Sequence, residues 1–262
     1  MTEHQQKARV AVHKFSSCDG CQLAFLNLGE DLLALSQRID IVYFAEAGMM
    51  NEADDVDIAF IEGSISTAKD AQRIRNIREH SRHLITIGAC ATAGGLQALR
   101  NLAQTDDWIQ AIYTNPEHID TLDKVSPIRE HVHVDFELWG CPINKQQLTG
   151  LINSLLLGVL PFAETDKLCM QCKRLQQACV MVTKGSPCMG PLTRTGCGAL
   201  CPSFGRDCYG CYGPAENINT EALAQRLDGI GLLPAQISNR LLSIYSSEQT
   251  FKQCGQEWNK KS

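Results

Sequence analysis

Thirteen cysteines dominate the chemistry available to this 262-residue chain, and twelve of them fall into two patterns. Four are spread over the first half of the chain: Cys18, Cys21, Cys90 and Cys141. Eight lie within 43 residues: Cys169, Cys172, Cys179, Cys188, Cys197, Cys201, Cys208 and Cys211. A chain of this length buries a core without disulfides, so these thiols are predicted to bind metal in a reducing compartment. Twelve thiols suit three sites of four thiolates, which leaves Cys254 as a predicted free thiol.

Alternating strands and helices must position the first four cysteines. Apolar, β-branched segments predict four strands at residues 8–15, 39–45, 56–63 and 83–89, and residues 131–142 are predicted to form a fifth strand followed by a turn. Helical periodicity covers residues 22–36, 67–80 and 144–157. This order predicts an α/β fold with a flavodoxin-like, doubly wound parallel sheet.

The four early cysteines each follow a predicted strand. Cys18 and Cys21 come after the first strand, Cys90 after the fourth and Cys141 after the last. Because the carboxyl ends of parallel strands share one edge, where open α/β sheets bind ligands, these thiols should meet in space. A thioredoxin-type redox pair would explain Cys18 and Cys21 but gives no reason for the others.

The later cysteines follow the pattern C-x2-C-x6-C-x8-C-x8-C-x3-C-P-x5-C-x2-C. The Cys201-Pro202 ending and the many Gly and Pro residues between the thiols favour iron–sulfur clusters, while two four-thiolate zinc sites are the alternative. We predict a flavodoxin-like domain at residues 1–160. Residues 161–262 are predicted to form a loop-rich domain with two further clusters and a C-terminal helical tail.

The spacing of the eight later cysteines allows two groupings into sites. Sequential grouping gives one set of Cys169, Cys172, Cys179 and Cys188 and a second set of Cys197, Cys201, Cys208 and Cys211. A ferredoxin-style exchange of ligands between the two sets fits the spacing equally well.

Five other polar residues have two interpretations each. Glu62, after the third strand, could serve as a proton relay or contact the cysteine site, or it could cap the next helix or be solvated. His131 and His133 alternate on a predicted strand, so they are expected to share a polar sheet face, with a metal site as the alternative. Arg194 and Arg206 lie among the cysteines and could contact a partner or tune a reduction potential.

The composition excludes several classes of function. A net charge of −5 argues against binding to nucleic acid through phosphate contacts. No apolar run reaches about 18 residues, so membrane insertion is not expected. The N-terminal MTEHQQKARV lacks an apolar signal segment and a twin-arginine pair, which predicts a cytoplasmic protein. Gly94-Gly95 lacks the rest of a nucleotide-binding motif, so no nucleotide cofactor is expected.

Several segments carry a family resemblance. CDGCQLAFLNLGEDLL, IEGSIS, IGACATAGG and WGCPINKQQL resemble the small subunit of [NiFe]-hydrogenases and its relative in respiratory NADH:quinone oxidoreductase. The segment CVMVTKGSPCMGPLTRTGCGALCPSFGRDCYGCYGP resembles the delta subunit of cytoplasmic NAD(P)-linked hydrogenases of the sulfhydrogenase type. The resemblance spans residues 8–214. Respiratory relatives differ because they have adjacent cysteines in place of Cys18-x2-Cys21 and lack the second cluster domain.

The resemblance implies an electron-transfer subunit with three [4Fe-4S] clusters and no nickel of its own. Cys18, Cys21, Cys90 and Cys141 would hold the proximal cluster, and the eight later cysteines would hold the medial and distal clusters. The implied partners are a large subunit with the nickel–iron site, a flavin- and NAD(P)-binding subunit and an iron–sulfur subunit. The large subunit should cover the carboxyl edge of the sheet, so the isolated chain is expected to be unstable.

Two other functions remain open from the residues. The first is an iron–sulfur subunit of a different quinone- or sulfur-reducing complex, which would have the clusters but no hydrogen-dependent activity. The second is a zinc-stabilised interaction module, which would be colourless.

Overall fold

A computed structural model of the protein describes residues 7–50 and 55–262. Residues 1–6 lie outside the described residues. They begin the polar MTEHQQKARV segment on which the prediction of a cytoplasmic protein depends. The strands are β1 (Ala8–Lys14), β2 (Ile39–Phe44), β3 (Met49–Met50), β4 (Val56–Glu62), β5 (Ser81–Ile87) and β6 (Phe136–Leu138). They form one sheet in the order β3-β2-β1-β4-β5-β6.

Five strands of this sheet are parallel and confirm the predicted flavodoxin-like topology. Strand β1 lies in the centre between β2 and β4, so the chain winds first to one side and then to the other. Across the sheet, Phe60 aligns with Val12 on one side and with Ile85 on the other. All three side chains are buried, as expected for strands covered on both faces. The short antiparallel edge strand β3 was not predicted.

The described residues form twelve α-helices, which surround or follow the sheet. In the first half they are α1 (Gly20–Leu26), α2 (Glu30–Ser36), α3 (Ala68–Glu79), α4 (Gly88–Ala93), α5 (Thr105–Ile112) and α6 (Lys145–Leu156). In the second half they are α7 (Leu168–Arg174), α8 (Val180–Thr183), α9 (Leu200–Ser203), α10 (Thr220–Gly229), α11 (Pro234–Leu242) and α12 (Gln249–Asn259).

The predicted helix at residues 22–36 is two helices, because the chain turns at Gly29. Gly29 has a φ of +63°, a left-handed conformation that glycine adopts without steric cost. The other two predicted helices are continuous and begin at side-chain caps. Thr67 and Asp70 form a capping box at the start of α3, and Asn144 accepts two backbone N–H bonds at the start of α6.

At residues 131–142, where a strand followed by a turn was predicted, the strand begins later and is shorter than expected. Only Phe136–Leu138 forms β6. His131 ends a short 3-10 turn and its Nε2 lies 2.7 Å from the Ser126 hydroxyl. The His133 side chain is 81% exposed. The two histidines therefore share no sheet face, because a turn and a loop occupy the segment before the chain reaches β6.

The second half of the chain packs against the carboxyl edge of the sheet. Residues 161–219 contain three short helices joined by loops, and α10–α12 follow as a helical tail. One hydrophobic cluster joins Ala89, Ala93 and Trp139 beside the sheet to Tyr245 and Phe251 of the tail region. This confirms the α/β sheet with a loop-rich, cysteine-bearing C-terminal region, while the domain boundary at residue 160 stays a prediction.

None of the helices that the structure describes has the length and apolar character needed to span a membrane.

Candidate metal centres

Three separate segments bring the four early cysteines to one edge of the sheet. Cys18 lies in the turn after β1 and Cys21 in the first turn of α1. Strand β5 ends at Ile87, so Cys90 lies in the first turn of α4. Cys141 lies three residues after the end of β6. The turns that follow these strands therefore position all four thiols.

These four thiols influence one another electrostatically. Burial raises the pKa of Cys90 to about 12, and repulsion from Cys141 and Cys18 adds to the shift. Burial also raises the pKa of Cys21, with smaller contributions from Glu62, Cys141 and Cys90. Four neighbouring thiolates in a poorly hydrated site need positive charge to compensate them, and bound metal supplies it.

Two glycines leave room for the sulfur atoms. A Cβ on Gly88 would collide with Cys21 Sγ, and one on Gly95 would lie 2.7 Å from Cys90 Sγ. Both glycines have positive φ angles, of +85° and +54°. The IGACATAGG segment therefore folds tightly around the thiols, and these two positions can accept only glycine.

Backbone N–H groups point at several of the sulfur atoms. The N–H of Leu96 bonds to Cys90 and that of Ile143 bonds to Cys21, and both lower the thiol pKa against the effect of burial. In the second half, Cys208 N donates to Cys188 Sγ at 3.2 Å. Bonds of this kind stabilise thiolates and tune the potentials of iron–sulfur clusters, so the donor set fits such a group.

Glu62 is a buried cap for the helix that carries Cys21. Its side chain is 2% exposed, and Oε1 accepts the Cys21 N–H at 2.9 Å. Gln22 Nε2 donates to Oε2 at 2.7 Å. The expectations that Glu62 is solvated or caps the following helix were wrong, because the helix it caps, α1, precedes it in sequence. Burial raises the pKa of this carboxyl. Its role as a proton relay stays a prediction.

The structure brings together the first four of the later cysteines. Cys169 and Cys172 lie on α7, Cys179 is the residue before α8, and Cys188 is buried in the loop that follows. Burial raises the pKa of Cys172 to about 11, and repulsion from neighbouring thiolates adds to the shift. The strongest of these neighbours are Cys169, Cys188 and Cys179.

The last four form a second group beside the first site. Burial raises the pKa of Cys211 to about 12. Repulsion from Cys197, Cys141 and Cys201 adds to the shift. The backbone N–H of Cys208, a member of this last group, donates to Cys188 Sγ of the other later group, so the two later groups adjoin.

Within the described residues, no three His, Cys, Asp or Glu side chains are close enough to share a single metal ion. Cys254 is buried in α12, where its Sγ lies 3.9 Å from Glu221 Oε2, and it joins none of the three cysteine groups.

Sequence reasoning missed an aromatic junction between the first and second halves. Tyr245 is fully buried, its hydroxyl donates to the Cys211 carbonyl at 3.0 Å, and its ring stacks on Trp139 at 5.5 Å. The Arg194 guanidinium lies 4.2 Å from the centre of the Trp139 ring, and its Nε donates to Pro214. Arg206, in contrast, is exposed. Only the WGC sequence, which places Trp139 next to the Cys141 turn, could have signalled the junction.

Comparison with known proteins gives a consistent result. The family described as NADH ubiquinone oxidoreductase, 20 Kd subunit, matches residues 18–155. The sulfhydrogenase 2 subunit delta of Pyrococcus furiosus is 32% identical over 238 residues, which cover 91% of this chain and 99% of that protein. The NAD-reducing hydrogenase HoxS subunit delta of Cupriavidus necator is 29% identical over 167 residues, covering 58% of this chain and 80% of that protein.

A solved structure agrees with these relatives. The crystal structure of an NAD+-reducing [NiFe]-hydrogenase in the H2-reduced state matches with a TM-score of 0.56 and 29% sequence identity. The match covers 60% of this chain and 96% of the other chain. The chain therefore belongs to the 20 kDa NADH:ubiquinone oxidoreductase subunit family and is, within it, a hydrogenase small subunit of the sulfhydrogenase-delta type, part of an oxidoreductase complex.

Proposed function

We propose that this chain carries electrons between the nickel–iron site of a hydrogenase large subunit and a flavin- and NAD(P)-binding partner. It would do so through three [4Fe-4S] clusters. Cys18, Cys21, Cys90 and Cys141 hold the proximal one. The two sequential sets, Cys169 to Cys188 and Cys197 to Cys211, hold the other two. An iron–sulfur subunit completes the route to the flavin.

The position of the Cys211 turn carries this proposal. Cys211 belongs to the last set in sequence, yet its carbonyl accepts from Tyr245, whose ring stacks on Trp139, two residues before Cys141 of the sheet edge. The set at residues 197–211 is therefore the middle of the series, and the set at residues 169–188 is the outer one. A hydrogen bond from Cys208 N to Cys188 Sγ joins the middle and outer sets. Three sets that adjoin in this order suit a relay of electrons.

Bound iron–sulfur clusters supply reversible one-electron chemistry. The chain's own residues set the conditions for it. Leu96 and Ile143 direct their N–H groups at sulfur, and the Tyr245–Trp139 junction keeps water away from the space beside Cys211. Burial and N–H bonds of this kind decide the potential of each site, since all twelve ligands have the same chemistry.

The sheet edge supports docking of the large subunit. Cys18 is exposed there, whereas Cys21 is buried and Cys90 and Cys141 are half-buried. Exposed apolar side chains lie nearby in sequence, with Leu23 at 52% and Leu96 at 46% exposure. A cover over this edge would exclude water from the proximal site.

Metal analysis of the anaerobically purified hydrogenase complex tests the proposal. Beyond the iron and sulfide of its partner subunits, we expect this chain to contribute about twelve iron and twelve sulfide, and no zinc. About four iron would contradict the two outer sites, and zinc without iron would instead support the interaction module. Clusters without hydrogen-dependent dye reduction would support the subunit of another reductase.

Single substitutions assign the sites. We expect Cys90→Ser to lose the proximal signal in electron paramagnetic resonance, and Cys211→Ser to lose the middle one. Cys254→Ser is the matched control, because this thiol is buried outside all three groups and its loss should leave the iron content unchanged. Loss of a cluster in the control would contradict the assignment.

A further inference from the structure

Charge is unevenly distributed between the cysteine-rich segment and the rest of the chain. Residues 168–206 contain five basic residues and no acidic residue, although the whole chain has a net charge of −5. The five are Lys173, Arg174, Lys184, Arg194 and Arg206. This excess of positive charge surrounds the outer set of cysteines.

Only part of this charge is available to a partner. Arg194 is occupied at the Trp139 ring, and Arg174 pairs with Asp166 at 3.1 Å. Lys173 is also exposed, but it lies on α7, and no hydrogen bond among the described residues joins it to the surface that Lys184 and Gly205 form. The remaining two, Lys184 and Arg206, are exposed and form no ion pair with any described residue.

Lys184 and Arg206 lie on one surface with exposed apolar side chains. Lys184 Nζ donates to the Gly205 carbonyl at 2.8 Å, which places the loop after α9 next to the end of α8. Val182 and Phe204, on either side of this bond, are 78% and 77% exposed. We call Cys179, Val182, Lys184, Phe204 and Arg206 the outer face.

Backbone hydrogen bonds join both chain segments of the outer face, residues 179–184 and residues 204–206, to cysteines. Val182 N donates to the carbonyl of Cys179, the exposed thiol of the outer set, at 3.0 Å. Phe204 N and Arg206 N both donate to the Cys201 carbonyl, at 3.1 and 2.9 Å. An apolar centre with a cationic rim therefore lies directly over the cysteine sites.

We propose that the outer face docks an acidic electron-carrying protein, with Val182 and Phe204 at the centre of contact and Lys184 and Arg206 facing its carboxylates. This rests on the proposed function, because it assumes that electrons reach the outer set. Complementary charge steers encounter and raises association rates by about 10- to 1,000-fold at low salt. Simple compensation of cluster charge would not need exposed cations beside exposed apolar groups.

Two redox proteins of opposite charge test the proposal on the purified hydrogenase complex of large subunit and this chain. Acidic rubredoxin and basic cytochrome c are each reduced under hydrogen, and both reductions can be followed by absorbance. In the first reaction, one H2 gives two protons and two electrons, which reduce two rubredoxin Fe3+ to Fe2+. We expect kcat/KM for rubredoxin to exceed that for cytochrome c and to fall steeply with salt.

Charge-reversal variants test whether Lys184 and Arg206 cause the preference for rubredoxin. We expect Lys184→Glu/Arg206→Glu to lower kcat/KM for rubredoxin at least 10-fold at low salt, with methyl viologen reduction and iron content unchanged. Arg206→Glu alone, which leaves the Lys184–Gly205 bond intact, should show part of this loss. Phe204→Ser should lower kcat/KM at every salt concentration. Lys252→Glu on the exposed side of α12 is the matched control and should have no effect.

The outcomes separate the two proposals. Unchanged rubredoxin kinetics in the double variant, or equal losses in Lys252→Glu, would overturn the docking face. An equal loss with methyl viologen would also overturn it, because the cations would then act on the clusters. A wild-type complex that reduces neither viologen nor rubredoxin under hydrogen would instead contradict the proposed function.

Discussion

The two cysteine regions are assembled in different ways. The sheet-edge set comes from segments up to 123 residues apart, Cys18 to Cys141, and regular strands and helices hold it. The later sets lie within 43 residues, and three short helices and loops hold them. The first site is therefore positioned by the fold, while the second region has few backbone hydrogen bonds of regular structure to order it without its ligands.

The two regions therefore depend on different sources of stability, which are side-chain packing in the sheet and metal binding in the later region. Side chains such as Phe60 and Ile85 pack in the sheet whether or not metal is bound, and they fix where Cys18 and Cys90 lie. Cysteines lie in the hydrophobic clusters of both regions, Cys21 in that of the sheet and Cys188 and Cys208 in that of the later region. Only short helices and loops hold the ligands of the later region, so we expect metal binding and folding to be coupled there.

Removal of iron should produce the largest effect, a difference between the two cysteine regions in their protection against proteolysis. After chelation of the anaerobic complex under mild oxidation, we expect residues 168–214 to be cleaved by trypsin about 100-fold faster or more, while the sheet stays protected. Mass spectrometry of the fragments measures both rates. Equal protection of the two regions in the iron-free state would show that the later region folds without its ligands.

Gly213→Ala should weaken the docking of the later region on the sheet by about 3 to 5 kcal/mol. The new Cβ would collide with the Trp139 ring, and φ is +74° at this position. Gly229→Ala is the matched control, because a Cβ there meets nothing within 4 Å. Thermal loss of cluster absorbance compares the two variants. A similar midpoint in both would mean that the junction does not hold the regions together.

Glu62→Gln should destabilise the proximal site by about 2 kcal/mol, because the carboxylate accepts from both Cys21 N and Gln22 Nε2. The amide nitrogen of glutamine would face one of these donors. We expect partial loss of proximal iron, with a proportional loss of hydrogen oxidation. Full iron content with slow hydrogen–deuterium exchange would instead support the proton relay.

Tyr245→Phe should have the smallest effect, about 1 kcal/mol, because it removes one hydrogen bond and leaves the Cys211 carbonyl unpaired. The Trp139 stack remains. Tyr113→Phe, on a half-exposed ring, is the control. The midpoint for thermal loss of the middle cluster is the measurement, and equal midpoints in the two variants would exclude a role for this bond.

Local signals predicted much of the fold. Continuous apolar runs predicted the buried strands β1, β4 and β5, and the Thr67 and Asn144 caps mark where α3 and α6 begin. The strand ends in turn predicted that Cys90 and Cys141 would meet. The segment at residues 131–135 misled the prediction, since alternation of His and Val looks the same in a strand and in an irregular loop.

Residue types and spacing alone were enough to predict the kind of chemistry and the family. Twelve thiols in two spacings, placed after strands or between glycines, predict metal-bound thiolates, and this is a local property of residue type and position. The arrangement of the sets relative to one another depends on tertiary packing. The Cys211 turn is held near Trp139, two residues before Cys141, because Tyr245, 34 residues beyond Cys211, stacks on Trp139 and donates to the Cys211 carbonyl. Contacts over such distances depend on how whole elements pack, and no local pattern records them.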